Sequence, residues 1–179
     1  MAKRNPDTIT LGSGELFTME YDGTLPEIDK LCVSDNRLGW IKGGATLTYS
    51  AETYEEKDDL GKVHKTITTS ETVTLKAGVL TWNGETLAKL TATGRVTTAD
   101  GKRILKVGGL ANDNRKNYVI CFKHSDPVDG NVYVLIVGKN TAGFALAYST
   151  GAGTQIDPEF TAYPQDDDGT LVQLIEETA

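Results

Sequence analysis

The chain has 179 residues, 39% of them hydrophobic and 24% charged, with a net charge of −7 at pH 7. That length suits one domain, with or without extended arms, and is enough to bury a substantial core. An acidic surface repels nucleic acid and anionic membranes at long range, which argues against sequence-specific DNA binding. No apolar signal-peptide stretch follows Lys3 and Arg4, and no apolar run reaches the length needed to cross a bilayer.

Taken in order, residues 1–14 read as an N-terminal arm, with short extended pieces at 9–11 and 16–21 on either side of Gly12-Ser13-Gly14. Residues 22–38 read as a connection, marked by Pro26 and the turn signal Asp35-Asn36. Residues 44–54 and 62–76 then predict two long strands joined by 55–61, a hairpin spanning 44–76. Period two puts His64, Thr66, Thr68, Ser70, Thr72, Thr74 and Lys76 on one polar face of the second strand. Val63, Lys65, Ile67, Thr69, Glu71, Val73 and Leu75 fall on the other, apolar only toward the base. Thr46, Thr48, Ser50 and Glu52 give the first strand a matching polar face. A hairpin this long projects past a compact core, where it is marginally stable unless something packs against it.

Residues 83–92 carry Leu87, Leu90 and Thr91 at helical spacing, with Asn83 placed as N-cap and Gly94 as a stop. Strands resume at 95–98 and 103–107 around a turn at 99–102. The runs 118–122, 133–137 and 144–148 are almost continuously apolar and predict strands covered on both faces. Residues 160–163 and 171–176 predict a closing hairpin, 160–177, around an acidic turn. The expected class is mainly β: a single domain, 1–179, forming a β-sandwich or partial barrel with one flanking α-helix and a long projecting β-hairpin.

No pattern points to catalysis. The chain has two histidines, and His124-Ser125-Asp126 is contiguous, whereas triad residues meet in space from separate elements. The Asp166-Asp167-Asp168-Gly169 run fails as a calcium loop, because Pro164 and Ile175 occupy positions that need oxygen ligands. Gly43-Gly44, Gly108-Gly109 and Gly151-Ala152-Gly153 match no phosphate or dinucleotide loop. Lys102, Arg103 and Lys106 read as a solvated strand end. Cys32 and Cys121 lie far apart in different settings; Cys121 reads as a small buried hydrophobe, and cytosolic synthesis argues against a structural disulfide. No catalytic residue, metal or cofactor is expected.

The segment 9–17 (ITLGSGELF), the 43–77 block, the 83–93 helix, and the pair 160–163 (FTAY) and 167–171 (DDGTL) followed by 175–177 (IEE) resemble the tail tube, or major tail, proteins of long-tailed bacteriophages. The likeness lies in element order over nearly the whole chain and in no single diagnostic motif. It implies a fold related to the tube proteins of contractile tails and type VI secretion. It also implies self-assembly into six-membered rings stacked into a tube, through which DNA passes without specific binding. The tube would sit in the virion tail, its subunit made in the cytoplasm of a host bacterium, with tape measure and terminator or tip proteins as partners.

On that reading Thr46, Thr48, Ser50, Thr66, Thr68, Ser70, Thr72 and Thr74 face the lumen. Tyr54, Glu55, Glu56, Lys57, Asp58, Asp59 and Leu60 contact the next ring. His64 and Lys76 depart from the acidic lumen common in the family. Four alternatives stand beside this: a related tube machine (phage-like bacteriocin, gene transfer agent or secretion tube), an ordinary exposed sheet in a monomer, a small β-rich hydrolase, disfavoured by the missing nucleophile–base pair, and a carbohydrate-binding β-sandwich. The last needs an aromatic platform, for which only Trp40 and Trp82 are available, far apart in sequence.

Overall fold

The computed structural model describes Arg4 and residues 7–177. The protein is mainly β, and one large antiparallel sheet organises it. Its strands are β1 (Glu15–Glu20), β2 (Arg37–Gly39), β3 (Ile41–Lys57), β4 (His64–Val79), β7 (Tyr118–His124), β8 (Val132–Asn140), β9 (Glu159–Tyr163) and β10 (Val172–Glu176). The spatial order is β2-β1-β7-β8-β9-β4-β3, with β10 also paired to β8. A separate ribbon joins β5 (Arg95–Ala99) to β6 (Lys102–Lys106) through Asp100 and Gly101, both at positive φ as a tight two-residue hairpin requires.

The near-continuous apolar runs at 118–122 and 133–137 form the two strands at the centre, and both of their faces are covered, as the sequence predicts. One face, with Leu16, Ile120, Ile136, Phe160, Leu75 and Val73, packs under helix α2 (Gly84–Lys89), Leu105 of the ribbon, Phe144 and Leu146. The opposite face, with Phe17, Val119, Cys121, Leu135 and Val137, packs under α1 (Ile28–Leu31) and the chain around it. The buried members of this second cluster stop at β8, with Ile175 of β10 packed at its edge. Beyond it, toward β9, β4 and β3, the same face carries Thr161, Thr74 and Thr48 side by side and is bare.

Helix α2 begins as expected: the Asn83 side chain accepts from the N–H groups of Glu85 and Thr86 at 2.8 and 3.0 Å. It ends at Lys89, earlier than the spacing through Thr91 predicts. The 22–38 connection holds α1, a 3₁₀ turn at Ser34–Asn36 and β2, so a second short helix joins the predicted one. Two other expectations change. Residues 144–148 form no strand; Phe144 and Leu146 cover the first cluster from an irregular segment, while Tyr148 is exposed. Residues 9–11 are likewise irregular, with Ile9 and Leu11 exposed.

The closing strands also differ from the expected hairpin. β9 and β10 are joined by the turn in which Gln165 N–H donates to Thr170 O, yet they do not pair with each other. Both pair with β8, β10 along its first half and β9 along its second. A nine-residue strand is long enough to serve two short partners end to end. Gly138 sits where β9 crosses closest: a Cβ there would lie 2.0 Å from the Thr161 carbonyl oxygen, so only glycine fits.

Candidate assembly surface

The β3–β4 hairpin is the feature the fold leaves unexplained. β3 runs 17 residues and extends past the predicted 44–54 at both ends, while β4 runs 16, beginning at His64, later than the predicted 62, and ending at Val79, beyond the predicted 76. Glu55, Glu56 and Lys57 are therefore paired strand residues, opposite Thr66, Lys65 and His64, and only 58–63 form the tip. The third strand, β9, reaches only Thr74, Leu75 and Lys76. From Leu47 to Lys57 and from His64 to Thr72 every residue is exposed, so roughly 30 Å of two-stranded ribbon stands clear of the body.

At the base Gly43 and Gly44, with φ of 83° and 78°, form a bulge between the Ile41–Val79 and Ala45–Ala77 pairs. Past it the pairing keeps the predicted polar residues near the base on one face. Thr46 pairs with Lys76, Thr48 with Thr74, Ser50 with Thr72 and Glu52 with Ser70, all on the bare polar face. Lys76 bridges Glu159 at 2.8 Å and Ser70 donates to the Glu52 carboxylate at 3.1 Å, so the charges on this face are matched locally. Leu47 opposes Leu75 and Tyr49 opposes Val73 on the other face. Leu75 and Val73 are buried, while Leu47 and Tyr49 lie outside the body's own cover, at 38% and 59% exposure.

A second bulge breaks this pattern. Glu52 pairs with Ser70 but Thr53 pairs with Thr68, which leaves Thr69 extra; its hydroxyl donates to the Glu52 carbonyl at 3.2 Å. Since paired residues share a face and β3 alternates without interruption, every β4 side chain beyond the bulge changes sides. Thr68 and Thr66 join Thr53 and Glu55 on the Leu47–Tyr49 face. Tyr54 and Ile67, paired with each other, continue the polar face of Thr48 and Ser50. Six of the eight hydroxyl residues expected together are thus brought together, and Thr66 and Thr68 are not.

The tip is ordered by one side chain. The Asp58 carboxylate accepts from Val63 N–H at 2.6 Å and Leu60 N–H at 3.3 Å, while its backbone N–H donates to Val63 O at 3.0 Å. The Val63 bond, ahead of the other backbone donors, holds the Asp58 carboxyl below its ordinary value. Tyr54 donates to Glu56 and Tyr49 donates to Glu71 at 2.7 Å, and both bonds raise the phenol pKa by favouring the protonated form. Lys57 bridges Glu55 at 3.2 Å. Asp59 and Leu60 project at the end, Leu60 76% exposed. The sequence reading assigns no role to Leu47, Tyr49 or Ile67, and it does not pair Ile67 with Tyr54. The odd-numbered apolar alternation of 47 and 49 was a usable signal for the first two; nothing in the sequence marks the bulge that makes the last pair.

Elsewhere the chemistry-bearing residues are held by the fold. His124 is buried, with Nδ1 2.8 Å from Ser13 O. Asp126 caps its own turn by accepting from Val128 and Asp129 N–H at 2.8 and 2.9 Å. Asp166 accepts from Thr170 N–H at 2.9 Å in the same manner. Among the described residues no group of three His, Cys, Asp or Glu side chains could hold a metal ion. No helix among them is long and apolar enough to cross a membrane.

Trp40 and Trp82, distant in sequence, line one open cleft of about 290 Å³ with Arg37, Thr81, Asn83 and Thr86. The Arg37 guanidinium lies 4.1 Å from the Trp40 ring centroid, and Trp82 spends its N–H on Thr154 O at 3.1 Å. No known family's sequence pattern matches the chain, and no curated protein is similar to it in sequence.

Proposed function

We propose that the chain is a structural, self-assembling subunit of the tail-tube kind, closing into six-membered rings that stack into a channel for DNA. The observation that carries this reading is the β3–β4 hairpin, which stands clear of the body with both faces and its outer edge unpartnered within the chain. A 17-residue edge strand is a liability in a monomer and an asset where a neighbour's sheet completes it. Leu47 and Tyr49 offer that neighbour an apolar strip continuous with the subunit's own core face.

In such a ring the opposite, hydroxyl-rich face lines water. Thr46, Thr48, Ser50, Ser70, Thr72 and Thr74 then give a hydrated wall with few anchors for phosphates, so DNA passes without specific binding. The tip, from Tyr54 and Glu55 through Asp59 and Leu60, reaches the adjacent ring, where mixed charges set register more than affinity. Tape measure and terminator or tip proteins are the partners at the tube ends, and the working location is the tail of a virion assembled in a bacterial cytoplasm. The same physics serves a phage-like bacteriocin, a gene transfer agent or a secretion tube.

Electron microscopy of the concentrated protein tests the reading. Six-fold rings with head-to-tail contacts, each subunit using two different surfaces, are expected; a symmetric dimer in the assembled state overturns it. A second reading, a carbohydrate-binding monomer, is favoured by the shared cleft of Trp40 and Trp82. It is weakened by Arg37, which stacks on the Trp40 ring a saccharide would use. Compact monomers that bind oligosaccharides, and lose them on Trp40→Ala, would establish it.

A further inference from the structure

Two thiols that the sequence separates meet inside the second core cluster. Cys32 follows the last turn of α1, and Cys121 lies on β7 between β1 and β8. Their Sγ atoms are 3.7 Å apart and both thiols are free. The two sites differ in freedom. Cys121 is fully buried, and its backbone is fixed by strands on both sides. Cys32 is half-buried, outside the regular helix, at the end of a four-residue element held by Leu31. Closing from the observed contact to a bonded pair needs a shift of less than about 2 Å, which falls to Cys32, the partner not held between two strands.

We infer that Cys32 and Cys121 are a built site for an intramolecular disulfide that fastens the 22–36 connection to the sheet. The chemistry has a defined order, with a small-molecule disulfide as oxidant. Cys32 is the accessible thiol, and its thiolate is favoured by the Cys121 S–H donated to it and by nearby Lys123, against the cost of burial. It attacks one sulfur of the oxidant, forming a mixed disulfide and expelling one small-molecule thiolate. Cys121 resists deprotonation first because its S–H is donated to the Cys32 thiolate, and then because it is buried. Once Cys32 is in the mixed disulfide, that first cause is gone. Cys121 then gives up its proton, its thiolate attacks the Cys32 sulfur, and the second small-molecule thiolate leaves. Two protein thiols are oxidised and one small disulfide is reduced to two thiols.

The bond would tie down the layer that covers Phe17, Leu135 and Val137, and it closes a long loop, which favours a large effect. The inference stands on the thiol geometry and does not depend on tube assembly. It is tested on the folded full chain treated with excess oxidised glutathione, beside a sample kept in phosphine reductant. Expected are a mass lower by two hydrogens, loss of both alkylatable thiols after denaturation, and a thermal midpoint raised on the order of 10 °C. Cys32→Ser should show none of these changes. Two thiols still alkylatable after oxidant, a stable glutathione adduct on Cys32, or cross-links only between chains would each overturn it. The mass and thiol count on the unaltered protein decide the matter even if a variant fails to fold.

Discussion

Tyr133, at the start of β8, shows how single polar groups hold the sheet's end together. Its hydroxyl donates to Glu177 at 2.9 Å, and the same carboxylate accepts from the Asn131 side-chain amide at 2.9 Å and the Asn131 backbone N–H at 3.1 Å. The end of β10 is thereby tied to the beginning of β8. Burial, and then the bond to Glu177, push the Tyr133 phenol up to about 12, while the Asn131 and Tyr133 donors hold the Glu177 carboxyl below its usual range. A folded pKa above the unfolded value, about 10, means a contribution that is complete below that pH and is lost as pH climbs through the folded value. Tyr133→Phe should cost about 1 kcal/mol at neutral pH. The gap between parent and variant should narrow between pH 10 and 12 in chemical-denaturation curves, and a gap that stayed constant across that range would contradict the assignment. None of this network was legible beforehand. Asn131 and Glu177 are ordinary surface residues in the sequence, and only the pairing of β10 with β8 makes them neighbours.

At the scale of the element, legibility depended on how local the determining contact is. The Asn83 cap, the Asp100-Gly101 turn and the polar face shared by Thr46, Thr48, Ser50, Thr72, Thr74 and Lys76 are set by residues close in sequence, and the sequence reading anticipates them. The bulge at Thr69 was invisible for a physical reason. Thr68, Thr69 and Ser70 have nearly the same chemistry, so sliding one of them out of register leaves no trace in the hydrophobic pattern. The separate docking of β9 and β10 was hidden differently, because it depends on the length of β8, far upstream. Inserting one threonine between Glu52 and Thr53, opposite Thr69, removes the bulge. The subunit should keep its thermal midpoint, since everything beyond it is exposed. Thr66 and Thr68 would return to the side of Thr72, and the Tyr54–Ile67 pair would move to the face of Leu47 and Tyr49. If Tyr54 and Ile67 contribute to stacking, tube growth followed by sedimentation should slow or stop. Growth equal to the parent's would remove the bulge from the assembly.

Across the whole molecule, stability and exposure separate cleanly along the sheet. The centre, β7 and β8, is covered on both faces, whereas the distal hairpin is covered on neither. Hydrogen exchange of the unassembled chain should therefore be slowest at Ile120 and Ile136 and fastest from Thr53 to Thr68. Ile136→Ala should cost roughly 2–5 kcal/mol, and Ile67→Ala within about 0.5 kcal/mol. Comparable protection in both regions would mean the hairpin has cover within the monomer. The strand order also has a consequence for how the chain is made. Synthesis delivers β1 early, but the partner of Glu20 is Tyr118, so the body cannot close until β7 leaves the ribosome. The β3–β4 hairpin, whose strands are adjacent in the chain, is complete well before that. The nascent polypeptide thus spends much of its synthesis with its most exposed segment already emerged and its core unbuilt. During that interval the hydroxyls of the polar face and the charges from Glu52 to Lys65 serve as gatekeepers, keeping one emerging chain from pairing with the next.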